Sequence, residues 1–513
     1  MANIMFIKPN LETDAIWDPL RTCPYLGIWY LASHLKQKGH KVRYLDEVMR
    51  NNGFNRRTLF QRRIQGNQIS ETPINVSYDE LQAQKMQDYK SMTPQEFARK
   101  YSAFNLSGNV SRIIARTGNL QEETLEEIAK FNPEIVGIPL IASANYLPAT
   151  NLAREIKKRF PNIKIIFGGQ HITAFPNEFL EENPFVDYIV TGDGINAIDS
   201  ILRGETKEKI IRGNFAEMSS FPLLEPLLLE ENNYPIKPTY SYPTFGRKSA
   251  DFMFSKGCFR QCDFCVAGCQ KTFVTAIPYD KVEEQLRIFR EHGIEELILQ
   301  DDAFLWDKRH VRQHLPKILG LMKKYGFYWQ NNGGIEFEGL DDFVTEQIIQ
   351  YQKGEGKVTS LYIPFNPRTW NKNESASKTM SQRYHNNTEN LKRLREAGIY
   401  VFTSAIIGTP EQTRQTFEEE LATDRELIEK GYIDAALCLS ATMLPGTAWY
   451  RDNQHNIVNL QDYPGYSLFT AHHKTDSLQP QEIEELMIRW NKELSQVQKT
   501  YDWGTAFPNS PSL

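Results

Sequence analysis

Two series of short, β-rich apolar runs alternate with amphipathic helical stretches along this chain. That alternation restricts it to α/β architectures built on parallel sheets. The first series opens with NIMFIKPN, PYLGIWYLASHLKQKGH and KVRYLDE, which read as strand, loop with helix, and strand; the helix ends at Gly39. It resumes with LEEIAKFN, EIVGIPLI, PATNLAREIKKRF, KIIFGG and VDYIVTGDG. The expected fold over residues 1–205 is a doubly wound parallel sheet, interrupted at about 51–120 by a polar insertion expected to be helical. Ligands of such sheets bind at the carboxyl ends of the strands. Those ends carry Pro9, Ser143, Gly168, Gly169, His171, Gly192 and Gly194.

The second series begins at ADFMFSKGC, after a Pro-, Tyr- and Glu-rich segment, 206–245, that reads as a linker. Six strands are expected, at 251–255, 295–301, 327–333, 358–364, 400–407 and 433–443. Helices between them are expected at about 279–292, 308–325, 340–351, 383–397 and 414–430. Six βα units over residues 246–455 predict a partial (β/α)6 barrel with its site at the carboxyl ends of the strands. A small helical region, 456–513, follows, with an amphipathic helix near 480–498.

Composition narrows the function classes. A chain of 513 residues with 40% hydrophobic and 24% charged residues can bury two or three ordinary cores. A net charge of −5 gives no electrostatic reason to expect a nucleic-acid partner. No apolar run approaches the ~18 residues of a membrane span. The start, MANIMFIKPN, lacks the features of a secretory signal. A reducing cytoplasm is the expected compartment, where thiols serve as metal ligands or catalysts more often than as disulfides.

Three of only six cysteines lie in GCFRQCDFC, at Cys258, Cys262 and Cys265. Thiolates bind iron–sulfur clusters and zinc. Three of them can hold three irons of a [4Fe–4S] cube and leave the fourth iron open. The CxxxCxxC spacing, with Phe264 before the last cysteine and a strand before the first, resembles the radical S-adenosylmethionine superfamily. Membership implies a [4Fe–4S] cluster on these three cysteines and S-adenosylmethionine on the open iron. The implied reaction cleaves the sulfonium to a 5′-deoxyadenosyl radical that takes hydrogen from a strong C–H bond.

The resemblance extends to other positions. Asp301 and Asp302, in LILQDDAF, correspond to an acidic strand end near the methionine or ribose; a helix N-cap before WDKRHVRQHL is the structural alternative. Gly333 and Gly334 permit close backbone approach, and Ile407 with Gly408, in FTSAIIGTPEQT, corresponds to the adenine side. Asn366 or Arg368, in LYIPFNPRTW, takes over polar contacts where many relatives carry a different stretch. TMLPGTAWY resembles a turn in relatives with an N-terminal cobalamin-type domain, and DYIVTGDG, GGQHITAFP and VGIPLIASAN resemble that domain itself. Cobalamin is thus the third cofactor implied. The cobalt-ligating DxHxxG sequence of other cobalamin proteins is absent, and GDGINA only approximates the usual turn.

Two features admit further readings. Cys438, in IDAALCLSATML, shares a strand face with Ala436 and Ser440; facing the barrel interior, its thiol would quench a substrate radical. Arg56, Arg57, Arg62 and Arg63 form a local positive patch that would either dock an acidic group or cover a solvated helix face. Three functions follow: cobalamin-dependent C-methylation of a peptide or natural product, cobalamin-independent peptide epimerisation through Cys438, and a non-catalytic iron–sulfur or zinc protein with Cys269 as fourth ligand. The expected partners are that substrate and a flavodoxin- or ferredoxin-type reductant.

Overall fold

A computed structural model describes residues 1–17, 23–104, 109–232, 247–269, 273–305, 308–331, 333–364 and 378–499. The first ten strands are β1 (Asn3–Lys8), β2 (Leu11–Asp14), β3 (Lys41–Asp46), β4 (Arg57–Gln65), β5 (Gln68–Ile74), β6 (Val110–Thr117), β7 (Ile135–Pro139), β8 (Lys164–Gly168), β9 (Tyr188–Gly192) and β10 (Ile210–Gly213). Six of them form a parallel sheet in the order β10-β9-β8-β7-β1-β3. Its strands alternate cleanly. Met5 and Ile7 pack with Val136, Ile165 and the helices Gln121–Phe131 and Tyr146–Arg159. Ile4 and Phe6 face the other way, into a core shared with Trp29, Ile198 and the second half of the chain. β10 lies in the segment expected to be linker, so the sheet extends past residue 205.

The insertion is not all-helical. β2, β6, β4 and β5 form an antiparallel sheet in that order, against which lie the helices Tyr78–Ser91 and Pro94–Tyr101. The two helices start at capping boxes, Ser77 with Glu80 and Thr93 with Glu96. β4 and β5 turn over at Gly66, whose φ of +56° suits glycine.

This sheet also disposes of the expected arginine patch. Arg62 is 1% exposed and donates to Glu12 at 2.6 Å and, through Nε, to Glu71 at 2.8 Å. Arg56 pairs with Glu123, and Arg57 stacks on Phe54 and Tyr78. Arg56 and Arg62 are paired with Glu123, Glu12 and Glu71, and Arg57, Arg62 and Arg63 lie on a strand rather than a helix face.

The remaining strands are β11 (Ser249–Phe252), β12 (Ser255–Lys256), β13 (Thr275–Ala276), β14 (Glu296–Leu299), β15 (Tyr328–Asn331), β16 (Val358–Tyr362), β17 (Tyr400–Ile407) and β18 (Ala435–Ser440). Six pair in parallel in sequential order, β11-β14-β15-β16-β17-β18, with helical crossovers between them. This is the connectivity of a partial (β/α)6 barrel. Phe252 packs its ring against Phe289 of the outer helix Tyr279–Glu291, so Ser249 and Asp251 face inward. Register partners share a face, which turns Glu296, Ile298 and Gln330 inward as well.

The C-terminal helix Pro480–Leu494 packs against β18, β17 and the insertion helix Pro94–Tyr101. Asp424, buried in the outer helix Arg414–Glu429, is pushed up to about 8 by burial and by Glu420. An unfolded aspartate ionises near 4. The folded state therefore retains this proton between about pH 4 and pH 8, and stability falls as pH rises through that window. Asp424→Asn is expected to remove that part of the slope. In urea titrations it should gain on the parent as pH rises to 8, by on the order of 1–3 kcal/mol.

Candidate active site

β11 delivers the chain to the cysteine loop at the mouth of the barrel. β12 and β13 pair antiparallel on either side of that loop and form its stem. Cys258 is buried, Cys262 and Cys265 are half-buried, and the three thiols lie within electrostatic range of one another. Burial pushes the Cys258 and Cys262 thiols up. Among the described residues, no three His, Cys, Asp or Glu side chains converge as ligands of one metal ion.

The acidic strand end grips the backbone of this loop. Asp301 is 2% exposed and accepts from the Phe254 amide at 3.2 Å and from the Ser255 amide and hydroxyl at 2.7 Å each. Burial pushes it up to about 7, opposed by those donors. Asp302 accepts from the Gly257 amide at 2.9 Å, one residue before the first cysteine. Residues 303–305 are not helical, so neither carboxylate is the N-cap of the helix Lys308–Lys324. Gly333 stays glycine for a local reason: a Cβ there would sit 2.1 Å from the Asp301 carbonyl.

Other contacts tie the loop to both halves of the chain. Arg260 pairs with Glu338 at 2.7 Å. Trp449 donates its amide to the Asp263 carbonyl at 3.0 Å, and its ring lies 5.4 Å from Phe264. The neighbouring Tyr450 ring meets Phe175 of the first domain at 5.4 Å. Lys256 forms an ion pair with Asp193, at the turn after β9, and packs over the Phe215 ring. Glu336, largely buried and pushed up by that burial, accepts from the Leu305 amide and acts on Cys258 electrostatically. Asp193 stands with Gly192 and Gly194 at an expected strand end; Lys256 and Glu336 are not singled out by the sequence reading, although they stand beside the GC and GG motifs, the signal that finds them.

The carboxyl edge of the first sheet gathers the residues expected there. Ser143 and His171 are both buried, with Ser143 Oγ 2.9 Å from His171 Nδ1. Burial pushes His171 down to about 4, so the imidazole is neutral at pH 7. Pro9 follows β1, Gly168 ends β8 and Gly194 opens the helix Gly194–Leu202. Gly169 and Gly192 have φ of +115° and +73°. Their added Cβ atoms would lie 2.5 Å from the Leu140 carbonyl and 2.7 Å from the Gly213 carbonyl, so the chain's own backbone demands glycine at both. Ile141 is 39% exposed at the end of β7 and leaves an apolar contact open on this edge. Tyr463, from the C-terminal region, stacks on Tyr146 with ring centroids 4.4 Å apart, and the Tyr146 ring lies 5.3 Å from His171.

Cys438 does not face the barrel interior. Its Sγ accepts from Asn491 Nδ2 at 3.0 Å and lies 3.6 Å from the Met487 carbonyl, both on the C-terminal helix. Leu437 and Leu439 take the opposite face, in register with Ser404 and Ile406, and Ser404 Oγ is 2.6 Å from Tyr362 Oη. Ile407 is buried at the end of β17 and Gly408 follows with φ of +84°. Asn366 and Arg368 lie outside the described residues.

Residues 102–202 match the B12 binding domain. The chain carries a B12-binding domain, and its cysteine motif and barrel resemble those of radical S-adenosylmethionine enzymes. An uncharacterized methyltransferase of Pyrococcus horikoshii is 25% identical over 391 residues, covering 72% of this chain and 81% of the relative. The structure of the cobalamin-dependent S-adenosylmethionine radical enzyme OxsB superposes on this chain with a TM-score of 0.57 at 13% identity, over 97% of this chain and 69% of OxsB. The radical S-adenosylmethionine methyltransferase TsrM of Kitasatospora setae, solved with cobalamin and a [4Fe–4S] cluster bound, gives 0.50 at 13% identity, over 88% of this chain and 77% of TsrM. Among the described helices, none is long and apolar enough to cross a membrane.

Proposed function

We propose that this chain is a cobalamin-dependent radical S-adenosylmethionine methyltransferase acting at an sp3 carbon of a peptide or small natural product. The observation that carries this reading is the direct linkage of the two candidate cofactor edges. Lys256 of the cysteine-loop stem reaches Asp193 of the B12-binding domain, and the short helix Ala448–Asn453, which holds Trp449 and Tyr450, bridges Phe264 to Phe175. The methyltransferase names of the relatives support the same class.

The residues fit the implied groups. Cys258, Cys262 and Cys265 would hold the cluster. Their thiols lie within electrostatic range of one another on one short loop, the donor set that a [4Fe–4S] cube with one open iron requires. Ile141, Ser143 and His171 offer an edge, part apolar and part polar, suited to a broad macrocycle. Bound there, the cluster, S-adenosylmethionine and methylcobalamin supply one-electron cleavage of a sulfonium and a transferable methyl group. The chain's own part is positioning and exclusion of water. Asp301 and Asp302 hold Phe254 to Gly257 in place, and Phe264 with Trp449 shields the loop. The electron donor in this reading is a flavodoxin- or ferredoxin-type protein. Epimerisation through Cys438 is disfavoured because the thiol is packed against the C-terminal helix.

The test is anaerobic reconstitution with iron, sulfide and hydroxocobalamin, followed by reduction with S-adenosylmethionine present. Release of 5′-deoxyadenosine together with a stoichiometric protein-bound cobalamin spectrum is expected. Release of 5′-deoxyadenosine from protein that retains no cobalamin would overturn methyl transfer and leave a cobalamin-independent radical enzyme.

A further inference from the structure

We propose that His473, from the C-terminal region outside both the B12-binding match and the cysteine motif, is a positioning residue for the nucleoside side of the S-adenosylmethionine site. The inference rests on the functional reading above and on the resemblance that sets Ile407 and Gly408, at the carboxyl end of β17, on the adenine side. The Gly408 carbonyl accepts from His473 Nε2 at 2.8 Å. His473 is fully buried, and its Nδ1 has no hydrogen-bond partner. The single proton of the neutral ring therefore belongs on Nε2, where it is donated.

Gly408 is constrained from two other sides. Its amide donates to Gln412 Oε1 at 2.5 Å, and Gln412 is held in turn by Glu420 at 3.0 Å. A Cβ at Gly408 would lie 2.9 Å from Ile483 of the C-terminal helix. A planar trans peptide points its N–H opposite its C=O. With the Gly408 carbonyl taken by His473, the Thr409 amide is directed away from the C-terminal region, where a ligand acceptor can use it.

The histidine cannot drift with the turn, because its own backbone is pinned. The Val458 amide donates to the His472 carbonyl and the Lys474 amide to the Asn456 carbonyl, both at 3.0 Å. Arg112 of the insertion donates to Thr470 Oγ1 at 2.7 Å and to the Ala471 carbonyl at 3.2 Å. The insertion and the C-terminal region together thus hold a donor against the last turn of β17.

The experiment uses the full-length, cluster-reconstituted protein and anaerobic calorimetric titration with S-adenosylmethionine. His473→Phe keeps a ring and removes the donor; His473→Gln restores an N–H. Affinity is expected to fall about tenfold in His473→Phe and to return to within about threefold of the parent in His473→Gln. Cluster absorbance and thermal midpoint, recorded alongside, should stay within the parent's range in the Gln variant. Unchanged affinity in His473→Phe overturns the inference alone. So does equal loss in both variants with a lowered thermal midpoint, which would make His473 a merely structural residue. Parent protein that binds no S-adenosylmethionine would instead sink the functional reading, and this inference with it.

Discussion

Replacing any one of Cys258, Cys262 and Cys265 by alanine is expected to abolish 5′-deoxyadenosine release and to empty the chain of most of its iron. Three thiolates are the fewest that can hold three corners of a cube and leave one iron open to substrate. The loss should exceed about a hundredfold, more than the roughly 10–100-fold typical of removing a partner behind a ligand. Cys269→Ala serves as the control and is expected to retain iron and turnover. Iron and sulfide content, with 5′-deoxyadenosine measured chromatographically, decide the matter. A Cys262→Ala protein with full iron and parental turnover would end the cluster assignment.

Arg112→Met carries the largest expected cost in stability. The guanidinium is 1% exposed and grips Asp14 at 2.7 Å and Asp462 at 2.7 Å, so it joins the first domain, the insertion and the C-terminal region at one point. Methionine fills much of the volume but strands two buried carboxylates. Breaking a buried pair from one side costs about 3–5 kcal/mol, far more than the pair's net worth. Urea titration should show that loss, and hydrogen exchange should locate it at residues 456–475. Because the site is dry, raising the salt concentration should change the difference little. Asp462→Asn introduced alongside should recover part of the loss. A single variant within about 1 kcal/mol of the parent would show that the network is dispensable.

Much of the architecture was legible because hydrophobic periodicity is a local signal. The strand expected at 400–407 is Tyr400–Ile407, and the helix expected at about 279–292 is Tyr279–Glu291. The cysteine loop was legible for the same reason, since all three thiols lie within one short segment. What failed to show was pairing between residues distant in the chain. Arg62 read as surface charge because Glu12 and Glu71 become its neighbours only once four strands are laid side by side. A polar strand buried by ion pairs carries no apolar stripe, so the insertion passed for helix.

Cys438 failed differently. Its alternation was read correctly, but periodicity does not say which face is inside. Small side chains on that face admit the C-terminal helix closely enough for Trp490 Nε1 to reach the Ala436 carbonyl at 3.1 Å. Asp301 and Asp302 were found by motif, yet their hold on the Phe254–Gly257 backbone depends on how two neighbouring strands end, which no spacing reveals.

The stacking of Tyr463 on Tyr146 has a consequence for biosynthesis. The ribosome delivers the first sheet long before it delivers the ring that finishes its carboxyl edge. While the chain is growing, that edge stays open and Tyr146 lacks its companion. Corrinoid capture therefore belongs after chain release, and nascent chains stalled before residue 456 should fold their first domain yet hold the cofactor poorly.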